Sequence, residues 1–86
     1  MASKTVTVGS AVGLHARPAA IISEAAGKYD DEITLRVADG DEVDAGSSLL
    51  IMTLGASKGT EVTVESDNEE AVNEIAGLIE LDLDAQ

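Results

Sequence analysis

The sequence predicts a two-layer α/β sandwich: a four-stranded antiparallel sheet with three helices on one face, in the order β-α-β-β-α-β-α. Two patterns lead to this class. Segments in which polar and apolar residues alternate are typical of strands with one buried face, and they are separated by segments whose apolar residues recur at helical spacing. Because neither kind of element can bury its apolar face alone, sheet and helices must pack as layers. The 86 residues contain no linker or repeat, so we expect one domain over residues 1–86.

Four segments show the alternation of strands, and a turn signal separates the second from the third. This signal is Asp39-Gly40, which indicates a hairpin because both residues tolerate the positive φ of a tight turn. The four predicted strands cover residues 4–8, 33–37, 42–44 and 61–65.

The remaining segments have helical features. Residues 47–54 are short enough to be a brief helix or a buried strand, and Ser47 as an N-cap with Gly55 as a terminator favours the helix. Ser66 and Glu69 fit a capping box that opens the last helix. The apolar faces of the first and last helices consist of Ile21, Ile22, Ala25, Ala26 and Tyr29, and of Val72, Ile75, Ala76, Ile79 and Leu83.

The composition excludes several classes of function. Seventeen acidic residues face five basic ones, for a net charge of −12, and nucleic acid is not an expected partner because phosphate backbones require a cationic surface. The chain has no cysteine and one histidine, so neither a disulfide nor an ordinary zinc site is expected. No apolar run reaches the roughly 20 residues of a membrane span, and the start of the chain lacks the apolar block of a signal peptide. We expect a soluble cytoplasmic protein without a metal or organic cofactor.

The charges are unevenly distributed along the chain. Residues 1–23 contain no acidic residue, and all seventeen acids lie in residues 24–86. The chain's only histidine and only proline fall in residues 13–18, GLHARP, inside the acid-free part. An anion would therefore meet less electrostatic repulsion here than elsewhere on the molecule.

The GLHARP segment combines residues that suit phosphoryl chemistry. If a helix begins near Ala16, His15 is its N-cap, and the backbone N–H groups of Ala16 and Arg17 belong to the positive helix end that binds anions. The planar guanidinium of Arg17 can hold phosphate oxygens, and Pro18 suits a first turn, where its missing N–H loses no hydrogen bond. A neutral imidazole in this field can attack a phosphoryl group and become phosphohistidine. A lone histidine at a helix start is also commonly a surface or capping residue, so the interpretation depends on the combination.

These motifs resemble a known family. GLHARPA at residues 13–19, with SSLLIMTLG at residues 47–55, resembles HPr, the histidine-containing phosphocarrier of the bacterial phosphoenolpyruvate-dependent sugar phosphotransferase system. The resemblance covers essentially the whole chain. It implies that enzyme I, charged from phosphoenolpyruvate, passes a phosphoryl group to Nδ1 of His15, that Arg17 holds the phosphate, and that a histidine of a sugar-specific enzyme IIA domain receives it. Such a protein is a carrier and not a turnover enzyme.

The resemblance also implies that partners dock on the first and second helices. Independently, the apolar residues of so short a second helix cannot all point inward, and exposed apolar patches commonly mark docking sites. We expect a monomer that binds enzyme I and enzyme IIA proteins. The expected docking face includes Ala20, Ile21, Ser48, Leu49 and Met52.

Ser47 has two interpretations. It aligns with the serine that a regulatory kinase phosphorylates in some HPr proteins, and the added charge would repel enzyme I. A serine at a helix N-cap is also explained by capping alone.

The chain departs from the pattern of some HPr proteins, which leaves its particular partners open. Val12 replaces a small polar residue, Glu24 and Gly27 replace basic residues of the first helix, and Gly46 replaces a lysine. Two alternatives to the sugar phosphocarrier remain. One is a regulatory binding module that uses residues 49–52 without carrying phosphate, and the other is a carrier in a nitrogen-related phosphorelay.

Overall fold

The computed structural model describes residues 2–9, 13–14, 16–37, 40, 42–55 and 57–81. Over these ranges the element order is the predicted β-α-β-β-α-β-α, and residues 47–54 contain a helix and not a strand. The turn residue Asp39 and the helix residue Leu83 of the sequence prediction lie outside the described residues. The elements are β1 (Ala2–Thr7), α1 (Ala16–Ala26), β2 (Ile33–Val37), β3 (Val43–Asp44), α2 (Ser48–Thr53), β4 (Glu61–Ser66) and α3 (Glu69–Glu80).

The four strands form one antiparallel sheet with the order β1-β4-β2-β3. β4 lies in the interior of the sheet, because Val62 pairs with Val6 of β1 on one side and with Val37 of β2 on the other. β3 extends the sheet beyond β2 through the pairing of Leu35 with Val43. The interior strand β4 therefore comes from the second half of the chain. Its partner β1 is the first strand, so the paired residues are far apart in the sequence.

The two faces of the sheet differ as the alternation predicts. The outward face is polar: Thr5 and Thr63 share a 2.9 Å hydrogen bond between their hydroxyls, and Arg36 Nε lies 3.2 Å from Glu65 Oε1. The inward face is buried, so that the helices cover one side of the sheet and the other stays open. This confirms the predicted two-layer sandwich. The inward face consists of Val6, Ile33, Leu35, Val62 and Val64.

The helices pack on that inward face and on each other. α3 contacts β1 and β4, while α1 contacts both α2 and α3. Burial follows the helical spacing, since one stripe of each long helix is enclosed and the opposite stripe is solvated. None of the helices in the described part of the chain is long and apolar enough to cross a membrane. The helical contribution to the core is Ala19, Ile22, Ala25 and Ala26 from α1, Ile51 from α2, and Ala71, Val72, Ile75, Ala76 and Ile79 from α3.

The predicted caps of α2 are confirmed. Ser47 is the N-cap, with extended backbone, and its Oγ accepts a 3.3 Å hydrogen bond from the N–H of Leu50. Gly55 follows the helix with φ +65°, a left-handed conformation that glycine adopts without strain. These two residues explain why an apolar run of this length forms one short helix and stops.

The predicted capping box of α3 is wrong. Ser66 is the last residue of β4, where it pairs with Ala2 and Ile33, and it is buried. The N-cap is Asn68, whose Oδ1 accepts hydrogen bonds from the N–H groups of Glu70 and Ala71 at 3.0 and 3.3 Å. Sheet pairing extends through Ser66, so the helix begins only after Asn68.

Gly9 lies where the chain leaves β1 and meets the end of α3. Its N–H donates a 3.0 Å hydrogen bond to the carbonyl of Ile79. A Cβ at this position would lie 1.9 Å from the carbonyl oxygen of Glu80. The contact therefore requires glycine, and it holds the segment that leads towards α1 against the C-terminal end of α3.

Candidate functional site

The chain is anchored on both sides of position 15. Gly13 is buried and has φ +74°, and Leu14 is 3% exposed. On the other side, α1 begins at Ala16, and its fourth residue, Ala19, is fully buried. An apolar pair at these two positions, here Leu14 and Ala19 in one core cluster, sets the direction from which the chain joins a helix. His15 itself lies outside the described residues.

The first turn of α1 has the features predicted for an anion-binding helix end. Ala16 and Arg17 are exposed, whereas Pro18 is buried and directs the helix onto the core. The turn carries no acidic residue, and the first N–H groups of an α-helix have no acceptor within the helix. The structure therefore places Ala16 and Arg17 together at a solvent-facing, positive helix end of eleven-residue α1.

α2 presents an apolar surface beside α1. Ile51 is fully buried, and because successive residues are about 100° apart around a helix, this orientation turns Leu49 outward. Leu49 is 68% exposed and Leu50 is 41% exposed, while Met52 is half-buried. The expected apolar exposure on α2 is confirmed.

The residues named for docking lie on neighbouring helices. Ala20 of α1 is exposed and Ile21 is half-buried, and α1 packs against α2, where Ser48 is half-buried. Leu50 is an exposed residue that the sequence analysis left out of this face. Four successive apolar residues give no periodic signal to show which one is buried, so Leu50 could not be assigned from the pattern.

A groove runs between α1 and α3 further along α1. Its floor is apolar, formed by Ile21, Ala25 and Leu78, and Glu24 and Lys28 complete its lining. The space amounts to about 300 Å³ and is open to solvent. The sequence analysis did not identify this groove, because it depends on how the two helices lie against each other.

Three side chains tie the segment that follows α1 to α3. The hydroxyl of Tyr29 donates a 2.6 Å hydrogen bond to Glu74 Oε1, and Lys28 Nζ lies 2.7 Å from Glu74 Oε2. The hydrogen bond to Glu74, followed by desolvation and the nearby negative charges, raises the pKa of Tyr29 from 10.0 to about 12. The Lys28 ammonium, and next the Tyr29 hydroxyl, lower the pKa of Glu74. These contacts hold the chain just beyond the C-terminal end of α1 against α3.

The described residues offer no candidate metal site. Within them, no group of three or more histidine, cysteine, aspartate or glutamate side chains could hold a metal ion. The regulatory candidate Ser47 lies at the start of α2, half-buried, with its hydroxyl engaged by the backbone of that helix.

Comparisons with known proteins agree with this architecture. A family model described as "PTS HPr component phosphorylation site" matches residues 2–81. Phosphocarrier protein HPr of Streptomyces coelicolor is 46% identical over 71 residues, which cover 83% of this chain and 76% of that protein. Phosphocarrier protein NPr of Klebsiella oxytoca is 32% identical over 78 residues, covering 91% and 87% of the two chains. The crystal structure of HPr-C-His from Thermoanaerobacter tengcongensis superposes with a TM-score of 0.88 at 34% identity, over 100% of this chain and 99% of that one. A match over nearly the whole described fold, together with an acid-free helix end bearing Arg17, shows that this chain belongs to the HPr family of phosphocarrier proteins of the phosphotransferase system.

Proposed function

We propose that this chain relays a phosphoryl group from phospho-enzyme I, charged by phosphoenolpyruvate, to sugar-specific enzyme IIA domains, and that His15 carries the group as phosphohistidine. The observation that supports this most directly is the first turn of α1. Arg17 is exposed there, two residues after His15 in the sequence, and the turn contains no carboxylate that would repel a phosphoryl group. The general role of phosphocarrier follows from the family; the residues and partners are the proposal.

The relay consists of two successive displacements at phosphorus. A lone pair on the neutral imidazole of His15 forms a nitrogen–phosphorus bond while the bond from phosphorus to the donor atom of enzyme I breaks and returns its electron pair to that atom. The N–H groups at the start of α1 and the Arg17 guanidinium balance the phosphoryl charge. A histidine of enzyme IIA then attacks the same phosphorus, and His15 leaves as neutral imidazole. By resemblance to the family, the reacting atom of His15 is Nδ1.

Partner docking on α1 and α2 completes the proposal. The exposed Leu49 and Leu50, with the half-buried Met52, form an apolar surface beside Ala20 and the anion site. Such a surface suits transient contact with two successive partners. Phosphorylation of Ser47 would add about −1.5 to −2 charges next to this apolar surface and so weaken the docking of enzyme I. We place the carrier in the cytoplasm as a monomer.

Intact-mass spectrometry tests the function. The chain is incubated with enzyme I, phosphoenolpyruvate and the Mg²⁺ that enzyme I requires, beside a His15→Ala variant whose folding is checked by circular dichroism. The expected result is a single phosphate-sized mass gain that is lost in acid and absent from His15→Ala. No gain, with an enzyme I that phosphorylates a control carrier, would contradict the proposal and favour a regulatory binding module.

A nitrogen-related phosphorelay is the second candidate, supported by the 32% identity to the NPr protein of Klebsiella oxytoca. It uses the same chemistry with different partners. Supplying the phosphorylated carrier to a sugar-specific enzyme IIA and, separately, to its nitrogen-related counterpart distinguishes the two, since the true acceptor removes the phosphate mass faster.

A further inference from the structure

Glu24 is an acidic residue at the margin of the proposed docking surface, and it forms no ion pair with another described residue. We infer, resting on the phosphocarrier function proposed above, that the docking partners place a lysine or arginine side chain in the α1–α3 groove, with its cationic head on Glu24. The inference identifies the chemistry of the partner surface.

The position of Glu24 follows from helix geometry. It lies seven residues beyond Arg17, which is nearly two full turns, so both side chains project from the same side of α1. At a rise of 1.5 Å per residue they are about 10 Å apart along the helix axis. Both residues are exposed, with the exposed Ala20 between them.

The charge of Glu24 lacks a counterion among the described residues. Lys28 follows Glu24 by four residues in the sequence, but α1 ends at Ala26, so the two are not a pair within one helix. From the segment after α1, Lys28 extends to α3, where its Nζ is 2.7 Å from Glu74 Oε2. Glu24 belongs to neither of the ion pairs that the described residues form with one another.

A partner that reaches the phosphate site will cover Glu24. An ordinary protein interface buries about 800 Å² on each side, equivalent to a disc of roughly 16 Å radius. Centred on the first turn of α1, such a disc extends past Glu24. Burying a carboxylate without a counterion is unfavourable, whereas a matched charge aids both association and choice of partner. The partner must therefore supply a cation at this point.

The groove has the shape and chemistry to hold the side chain that carries this cation. Ile21, Ala25 and Leu78 form an apolar floor, and the lining also contains Glu24 and Lys28. The charge of Lys28 is matched by Glu74, which leaves the Glu24 carboxylate to attract a cation. Lysine and arginine have aliphatic stems that pack on apolar surfaces and charged heads that reach polar groups. An apolar floor beside an unmatched carboxylate is complementary to such a side chain. The net charge of −12 favours the approach of cationic surfaces from a distance.

The test measures the Kd for the host organism's enzyme I and for one of its enzyme IIA domains by isothermal titration calorimetry at low salt. Glu24→Gln removes the charge, and Glu24→Lys reverses it. Glu61→Lys is the matched control, because Glu61 is exposed on the first residue of β4, on the open face of the sheet, and the change in net charge is identical.

We expect Glu24→Gln to weaken binding about three- to tenfold, Glu24→Lys to weaken it further, and Glu61→Lys to change Kd less than about twofold. Added salt should reduce the difference between wild type and Glu24→Gln. Equal Kd values for Glu24→Lys and Glu61→Lys, or tighter binding by Glu24→Lys, would overturn the inference. The proposed function would still stand if enzyme I phosphorylates the wild type. Failure of the wild type to accept a phosphoryl group from enzyme I would overturn both.

Discussion

The contact between Tyr29 and Glu74 leads to a prediction about the ionisation of Tyr29, which can be measured directly. The Tyr29 hydroxyl donates a 2.6 Å hydrogen bond to Glu74 Oε1, and Tyr29 is the only aromatic residue of the chain. The ultraviolet absorbance of tyrosinate therefore follows this residue alone. The perturbation is Glu74→Gln, which removes the carboxylate charge and retains the size of the side chain.

The size of the effect comes from the pKa of Tyr29, which Glu74 and burial raise from 10.0 to about 12. A shift of two pKa units is about a hundredfold change in the ionisation constant. At pH 11, about 10% of the wild type should therefore be tyrosinate, against about 90% of a variant whose pKa has returned to the ordinary value. Because Glu74 is the largest cause of the shift, Glu74→Gln should move the midpoint most of the way back.

The assay is an absorbance titration from neutral to strongly alkaline pH, with far-UV circular dichroism at each point to confirm that the protein remains folded. Glu24→Gln is the control, since it makes the same chemical change on the exposed side of α1 and Glu24 is not among the groups that shift Tyr29. A wild-type midpoint near 10 while folded, or a midpoint that Glu74→Gln leaves unchanged, would refute the reasoning.

The same contact gives folding stability a dependence on pH at both ends of the scale. The pKa of Tyr29 is raised, so its contribution is fully present below its unfolded value of 10.0 and is lost as the pH rises through about 12. The pKa of Glu74 is lowered, so its contribution is present above its ordinary value of 4.5 and is lost as the pH falls through the native pKa. Urea unfolding across the pH range should show both losses in the wild type and a flatter profile in Glu74→Gln.

Three substitutions test the packing and capping, each by urea denaturation. Gly9→Ala should lower the free energy of unfolding by about 1–3 kcal/mol, because the new Cβ would lie 1.9 Å from the backbone oxygen of Glu80. Gly77→Ala should raise it by about 0.5–1 kcal/mol, because Gly77 lies inside α3 with nothing within 4 Å of the new Cβ; a similar loss at both glycines would contradict the role given to the contact at Gly9. Ser47→Ala should lower the free energy of unfolding by about 1 kcal/mol through loss of the hydrogen bond from the Leu50 N–H. Ser47→Asp should retain most of that stability, since a carboxylate caps as well as a hydroxyl, and equal losses in the two variants would argue against capping.

Local patterns predicted most of the fold. The alternation at residues 33–37 coincides with β2, and the cap and terminator of α2 settled a segment that its apolar run left ambiguous. The start of α3 could not be predicted in the same way. Ser66 continues the inward-facing row of Val62 and Val64, so it fits a strand as well as a capping box. Its pairing with Ala2, far away in the sequence, decides the matter.

For the candidate site too, local features could be predicted from the sequence, whereas features that depend on tertiary contacts could not. Residue types and spacing were enough to place Arg17 in the first turn of a helix and to expect apolar exposure on α2. The groove and the isolation of Glu24 depend on tertiary contact, because helical spacing alone would pair Glu24 with Lys28. In the structure α1 ends at Ala26, before Lys28, and Lys28 pairs with Glu74 of α3.

The order of strands in the sheet has a consequence for how the molecule is made. β4 pairs with both β1 and β2, and the first strand joins it through contacts such as Ala2 with Ser66. Closing so long a loop slows folding relative to helical bundles, in which contacts are local. During synthesis, β4 leaves the ribosome after the GLHARP residues 13–18. A chain released before β4 is made would therefore have the GLHARP segment but no complete sheet against which α1 could pack, so the proposed phosphoryl acceptance should arise only after β4 has been synthesised.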